Sequence, residues 1–301
     1  MAKLEYTFKT DTLFKMLFVQ HPHLLKHLVS TLLDIPLESI GQFVITNPDI
    51  PPDTKGEKFC RLDINMAVNG QRVALEVQVE NEGDYPDRIL YYWARAYSAA
   101  LTEGGKYKDL PRTVIISILD FIQFAESPEF HSEFRPLEVT RRELLSDKMS
   151  LHFFELRKLP GEEIESGNNL LLWLSLFKAN TEEELARIKA MKEPVMEQAI
   201  SAYEKITVTP EFQEMERLRS RARHNEASAL YNARQKEREK WQGVVADISA
   251  KLADKDAKLA DKDAKLADKD AKLAGKDAEL TDKDAELERL RAELAAIKAK
   301  G

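Results

Sequence analysis

The sequence predicts a mixed α/β domain that gives way to helices and ends in a helical heptad repeat. Three observations carry that prediction. An Asn-Gly pair at residues 69–70 separates two runs of alternating apolar residues, the pattern of a hairpin. "RTVIISIL" is almost continuously β-branched or apolar, the composition of a strand buried on both faces. From Lys251 the motif "KLADKDA" recurs with a seven-residue period.

The elements follow in order. "TDTLFKMLF" has a capping start and apolar residues Leu13, Phe14, Leu17 and Phe18 at helical spacing. Pro22 then opens a second helix, "HLLKHLVSTLL", with one wide apolar stripe. "QFVIT" reads as a short strand before the turn-rich "NPDIPPDTKG", and the hairpin comes next. "PDRILYYWARAYSAAL" reads as a helix with Pro86 in its first turn, stopping at Gly104-Gly105. "RTVIISIL" and a weaker strand, "LHFFEL", close the domain. Residues 1–160 therefore read helix, three strands, helix, strand. Residues 161–245 read as helices only, with "NLLLWLSLF", "TEEELARIKAM" and "VMEQAISAYEKI" in succession. Residues 246–301 form the repeat tail.

Composition bounds the partners. The net charge is −7 with a pI near 5.6, so a polyanion must be met by a local basic patch. Residues 211–240 carry eight Lys/Arg against six Glu, with Arg217, Arg219, Arg221 and Arg223 alternating. That segment reads as a solvated helix, with a phosphate-contacting arm as the alternative. Cys60 is the sole cysteine, which excludes an intramolecular disulfide and fits a reducing compartment. The N-terminus lacks an apolar signal core and no run reaches membrane-spanning length, so the expected location is cytoplasmic.

In the tail, one leucine per heptad falls at 252, 259, 266, 273, 280, 287 and 294. If these are a positions, lysines fill the d positions until Leu290 and Ile297. Asp254, Asp261 and Asp268 each precede a lysine by four residues, a pairing worth ~0.2–0.5 kcal/mol each. A helix is favoured and association is weak. The final two heptads are the expected point of homo-oligomerisation.

The hairpin concentrates the chemistry. With Asn69-Gly70 as the loop, Val68 faces Gln71, Met66 faces Val73, Ile64 faces Leu75 and Asp63 faces Glu76. Leu62, Ile64, Met66, Val73, Leu75, Val77 and Val79 then share the apolar face, and Asp63, Glu76 and Gln78 the other. Directly opposed residues have Cβ atoms about 4.5–5.5 Å apart, and like charges there are destabilising. Two such carboxylates share a proton or hold a cation. A hard cation such as Mg²⁺ resolves the conflict, with the main-chain carbonyl of Val77 as a further ligand. The plain alternative is an exposed hairpin face with ordinary polar residues.

These stretches together resemble a known family. "TDTLFKMLF", "RLDINMAVNG", "ALEVQVEN", "DRILYYWARAYSAALTEGGKYKDLPRTVIISIL" and the "AYEKI" region are similar to the Rpn recombination-promoting nucleases, also described as transposases, of the PD-(D/E)XK nuclease superfamily. The similarity spans roughly residues 5–240 and excludes the repeat tail. It implies a restriction-endonuclease-like core of the order αβββαβ, and a Mg²⁺-dependent DNA endonuclease, with Mn²⁺ or Ca²⁺ as possible substitutes, that breaks DNA to promote recombination or serves a mobile element. Asp63 and Glu76 match the family's metal-binding acids. Gln78 stands where the superfamily usually has lysine, in an E-x-Q form common in this family. A glutamine orients water but adds no charge, so more of the electrostatic work falls on the metal. Asp11 matches an acidic position on the first helix that reaches the metal site; its alternative is a plain helix N-cap. Lys15, one turn on, is either a phosphate contact or a surface lysine. Arg88 and Tyr92 share a helix face, matching a phosphate-contacting arginine and a supporting tyrosine. The alternative is an amphipathic helix whose aromatics pack on the sheet, the reading preferred for Tyr91 and Trp93.

Other candidates lack context. His23 and His27 have i,i+4 spacing, but no acid or cysteine nearby completes a tetrahedral set, so surface or cap roles are expected. Two further function classes stay open: a DNA-binding protein without cleavage, and an oligomeric scaffold built on the helical half and tail.

Overall fold

In the computed structural model, which describes residues 2–47, 49–50, 60–101, 103–161 and 167–298, Asn69 and Gly70 have φ of 49° and 78°. Those positive values are the type I′ turn that an Asn-Gly pair favours. The Asn69 side chain pins the turn: its Oδ1 accepts from the amides of Gly41 and Gln42, both at 3.0 Å, and its Nδ2 donates to the Ser39 carbonyl. In chain order the elements are α1 (Asp11–Gln20), α2 (Pro22–Leu32), β1 (Phe43–Thr46), β2 (Asp49–Ile50), β3 (Cys60–Arg61), β4 (Ile64–Val68), β5 (Gln71–Gln78) and α3 (Tyr85–Ser98). Then come β6 (Thr113–Leu119), β7 (His131–Phe134), β8 (Met149–Glu155), α4 (Asn169–Lys178), α5 (Glu182–Ala190), α6 (Pro194–Thr207) and α7 (Pro210–Lys298). Most of the turn-rich stretch at 47–56 lies outside the described residues, as does the surrounding of the Cys60 side chain.

The hairpin pairs Val68 with Gln71, Met66 with Val73 and Ile64 with Leu75, the register that the turn dictates. Six strands form a mixed sheet in the order β1-β4-β5-β6-β8-β7. The β5–β6 and β6–β8 pairs are parallel and the others antiparallel. All seven residues of β6 are buried, because helices and packed loops cover both faces of the sheet. One face carries Ile64, Met66, Val73, Leu75, Val114, Ile116 and Phe154 against α1, α2, α4, α5, α6 and the start of α7. The other carries Ala74, Ile115, Leu151 and Phe153 against Tyr85 and Ile89 of α3.

The structure departs from the expected pattern at four places. Leu62 packs on the α3 side with Tyr85 and Ile89, not with Ile64 and Met66, because the chain leaves the ladder at residues 62–63 before β4 begins. Val79 is exposed, since β5 ends at Gln78. Helix α3 stops at Ser98, short of Gly104-Gly105. There the Arg72 guanidinium reaches across and donates to the free carbonyls of Ala96 and Ala99, at 2.7 and 3.4 Å. Strand β7 is a short polar edge, "HSEF", whose hydrogen bonds go to β8.

That edge creates a polar chain under the sheet margin. Ser150 donates to Glu133 Oε1 at 2.6 Å and lies 2.9 Å from His152 Nε2, and His152 Nδ1 lies 3.1 Å from His131 Nε2. Burial, with His131 and nearby arginines adding to it against Glu133, pushes His152 down to about 4. A depressed histidine gives stability that is full above the unfolded value near 6.5 and is lost as pH falls toward 4. Acidification from pH 7 to 4 is therefore expected to cost at most about 3 kcal/mol through this group. Urea unfolding of His152→Gln should show that limb of the stability–pH curve flattened.

The chain divides into two compact units, Met1–Ser220 and Arg221–Gly301. The helices after residue 160 supply Trp173, Phe177, Ile200 and Phe212 to the same core as the sheet. In the second unit, residues 221–298 are one helix, its heptad leucines exposed and Asp254, Asp261 and Asp268 paired with the lysines four residues on. None of the described helices is long and apolar enough to cross a membrane.

Candidate active site

Continuing the hairpin one step beyond Ile64 and Leu75 brings Asp63 opposite Glu76. The two acids hold each other's strands: the Asp63 amide donates to Glu76 Oε1 at 2.7 Å, and the Val77 amide donates to Asp63 Oδ2 at 3.0 Å. Glu76 shares the α3-facing side of β5 with Ala74 and is only 8% exposed. Burial raises both carboxyls above their ordinary range. For Glu76 the rise is large, with the charge of Asp63 adding to it; for Asp63 the charge of Lys15 works the other way.

Helix α1 delivers two more groups. Lys15 Nζ stands 2.6 Å from Asp11 Oδ1 and 3.0 Å from Asp63 Oδ1, bridging helix and hairpin. Burial works against its charge, but Asp63 and Asp11 outweigh that and raise it, keeping it an ammonium. Asp11 is held below its usual range, its burial overcome by Lys15 and by Arg219. Asp11 is the first residue of α1 and Thr10 is the N-cap, so Asp11 is free to face the hairpin acids rather than cap the helix. In the sequence nothing distinguishes Arg219 from its neighbours Arg217, Arg221 and Arg223. Its Nη1 pairs with Asp11 Oδ2 and lies 3.0 Å from Thr12 Oγ1.

Behind Glu76 sit residues of α3 and β6. Arg88 pairs with Glu82 at 2.6 Å and lies over the Tyr85 ring, 5.0 Å from its centroid, where its charge is felt by Glu76. The hydroxyls of Tyr85 and Ser117 are buried beside Glu76, and neither makes a hydrogen bond of normal geometry. Tyr92 is half-buried against the α3-side core, next to Tyr91. Gln78 closes β5 with its Nε2 donating to the Glu80 carbonyl at 2.9 Å. Of the histidines, His27 accepts from the Trp173 indole at 3.0 Å and His23 meets Gln198 at 3.1 Å, so both serve packing and surface contacts.

The hairpin and α1 thus bring Asp63, Glu76, Asp11 and Lys15 together, α7 adds Arg219, and Arg88 stands behind them. Among the described residues, no group of three His, Cys, Asp or Glu side chains is arranged as a ready metal cage. The donor chemistry nevertheless fits a hard cation. The donors are carboxylate oxygens, they crowd one another, and orphaned hydroxyls line the wall behind Glu76.

Comparison with curated proteins and with solved structures finds no match. Comparison with family models finds one, described as PD-(D/E)XK nuclease family transposase, over residues 8–233. That span contains every residue of the acid cluster and the whole mixed sheet. With most of the chain matched and the six-stranded mixed sheet in agreement, the protein belongs to the PD-(D/E)XK nuclease family transposases.

Proposed function

We propose that the protein is a divalent-cation-dependent DNA endonuclease, in which Asp63 and Glu76 hold the cation with Asp11 beside them. The observation that carries this reading is the reciprocal hold of the two acids across the hairpin, with burial driving both carboxyls up. PD-(D/E)XK nucleases generally use divalent metals. Mg²⁺ suits an all-oxygen donor set, with Mn²⁺ or Ca²⁺ as alternatives and the Val77 carbonyl as a further ligand. When bound, such a cation supplies Lewis acidity and neutralises phosphate charge. The protein's own groups do the rest. Gln78, its amide nitrogen engaged by Glu80, offers its carbonyl oxygen to orient the attacking water. Lys15 meets the phosphate. Arg88, tied to Glu82, acts from behind Glu76, and Tyr92 supports α3.

The biological setting that fits is DNA breakage that promotes recombination or serves a mobile element. The heptad leucines of the second unit suit self-association of the helix through its last two heptads.

Supercoiled plasmid incubated with purified protein in Mg²⁺, Mn²⁺, Ca²⁺ or chelator tests the reading. Nicked or linear product is expected in Mg²⁺ or Mn²⁺, absent in chelator, and absent with Asp63→Asn. Cleavage by Asp63→Asn at the wild-type rate would sink the assignment. Tight DNA binding with no product under any cation would favour a DNA-binding protein that does not cut.

A further inference from the structure

Two side-chain cations already occupy the acids that the nuclease reading gives to a metal. Lys15 spans Asp11 and Asp63, and Arg219 takes the other oxygen of Asp11. With these pairs closed, three carboxyls stand against two cations, and the cluster has no net pull on a phosphate. Adding a divalent cation reverses that sign. We propose that Lys15 and Arg219 are exchangeable internal counter-ions, offsetting the charge of Asp11 and Asp63 until a divalent cation takes their oxygens and then turning to the phosphodiester backbone of DNA.

Three features support exchange over a fixed tether. Both side chains are part-exposed, Lys15 at 29% and Arg219 at 43%. The cations reach the acids from the solvent side, so a dication that takes the same oxygens can displace them into water. Each has a long flexible stem, and the guanidinium offers a planar fork suited to phosphate. Finally, an open cavity of about 480 Å³ is lined by Asp11, Lys15 and Arg219 together with Met16, Met215 and Leu218. A sugar–phosphate backbone, anionic at phosphate and apolar along the sugar, matches that lining. Arg219 lies on α7 and brings one arginine of the basic "RLRSRAR" stretch to the site.

The inference rests on the nuclease reading, and its test separates the two. Lys15→Met and Arg219→Met each remove a competitor for the acid oxygens. Mn²⁺ binding, followed by electron paramagnetic resonance without DNA, is expected to tighten several-fold in each variant. DNA binding measured in Ca²⁺ is expected to weaken, with the slope of log K against log salt reduced by about one. Opposite movements of the two affinities are the signature of exchange. If both affinities fall together with the melting temperature, the cations are structural tethers and the inference is wrong. It is equally wrong if Mn²⁺ affinity is unchanged in both variants while the wild type binds and cleaves. A wild type that binds no Mn²⁺ ends the nuclease reading and the inference with it. Arg219→Lys keeps the charge on a similar stem and should hold the salt slope at the wild-type value, which guards against misfolding of the methionine variants.

Discussion

Glu76→Gln is expected to make the protein more stable in chelator while reducing divalent-dependent cleavage on the order of 10³-fold. The two effects share one cause. Glu76 is buried, and burial together with Asp63 raises its carboxyl well above the ordinary value. An acid with a raised folded value holds its proton more tightly in the native state than in the unfolded chain. Stability therefore falls as pH rises from the unfolded value toward the folded one, and by neutral pH the penalty is present. Removing the charge removes that penalty. Glutamine also keeps an oxygen to accept from the Asp63 amide, so the hairpin contact survives. Urea unfolding across pH 4–8 tests the sign: the gain should grow with pH and vanish below the unfolded value, where Glu76 is protonated in both states. A variant that loses stability and cleavage together would show Glu76 to be a structural acid.

How much of this was legible depended on whether the controlling interaction was local. The Asn69-Gly70 turn sets the register from two adjacent residues, so the facing of Asp63 and Glu76 could be worked out by counting. The burial of β6 followed from its composition alone. Leu62 misled, since alternation carries on only while the ladder does, and the side-chain bond from Glu76 to the Asp63 amide marks the point where the ladder ends. The end of α3 was hidden because its cap comes from Arg72, a strand residue beyond any local signal. The His131–His152 pair was invisible for the same reason: β7 is too short and polar to show a period. Arg219 was the most consequential omission. On its own helix it is one of four alternating arginines, and only the packing of α7 on α1 singles it out. The sequence leaves Asp11 open between cap and ligand, and the position of Thr10 as N-cap frees it for the acid cluster.

A chain ending at residue 160 is expected not to fold, whereas one ending at residue 245 should melt as the intact first unit does and keep its cleavage. The first truncation removes Leu172, Trp173, Leu174, Leu176, Phe177, Met196, Ile200 and Phe212, each fully buried in the core that also holds α1 and the sheet. Burial of a large apolar side chain contributes about 1.5–3 kcal/mol. Losing eight forfeits about 12–24 kcal/mol, as much as or more than the ~5–15 kcal/mol that a domain has in total. The second truncation removes residues 246–295, which are exposed along their helix, where the ion pairs are individually weak, together with the few residues after them. Circular dichroism melts and plasmid cleavage on both chains distinguish the possibilities. A cooperative, active 1–160 fragment would show the later helices to be an addition to a self-sufficient core. Loss of cleavage in the 1–245 chain would place the function in assembly through the tail. Retention there, with collapse of the shorter chain, would mean that α4, α5, α6 and the start of α7 complete the fold that presents Asp63 and Glu76, and that Arg219 comes to the site as part of that same packing.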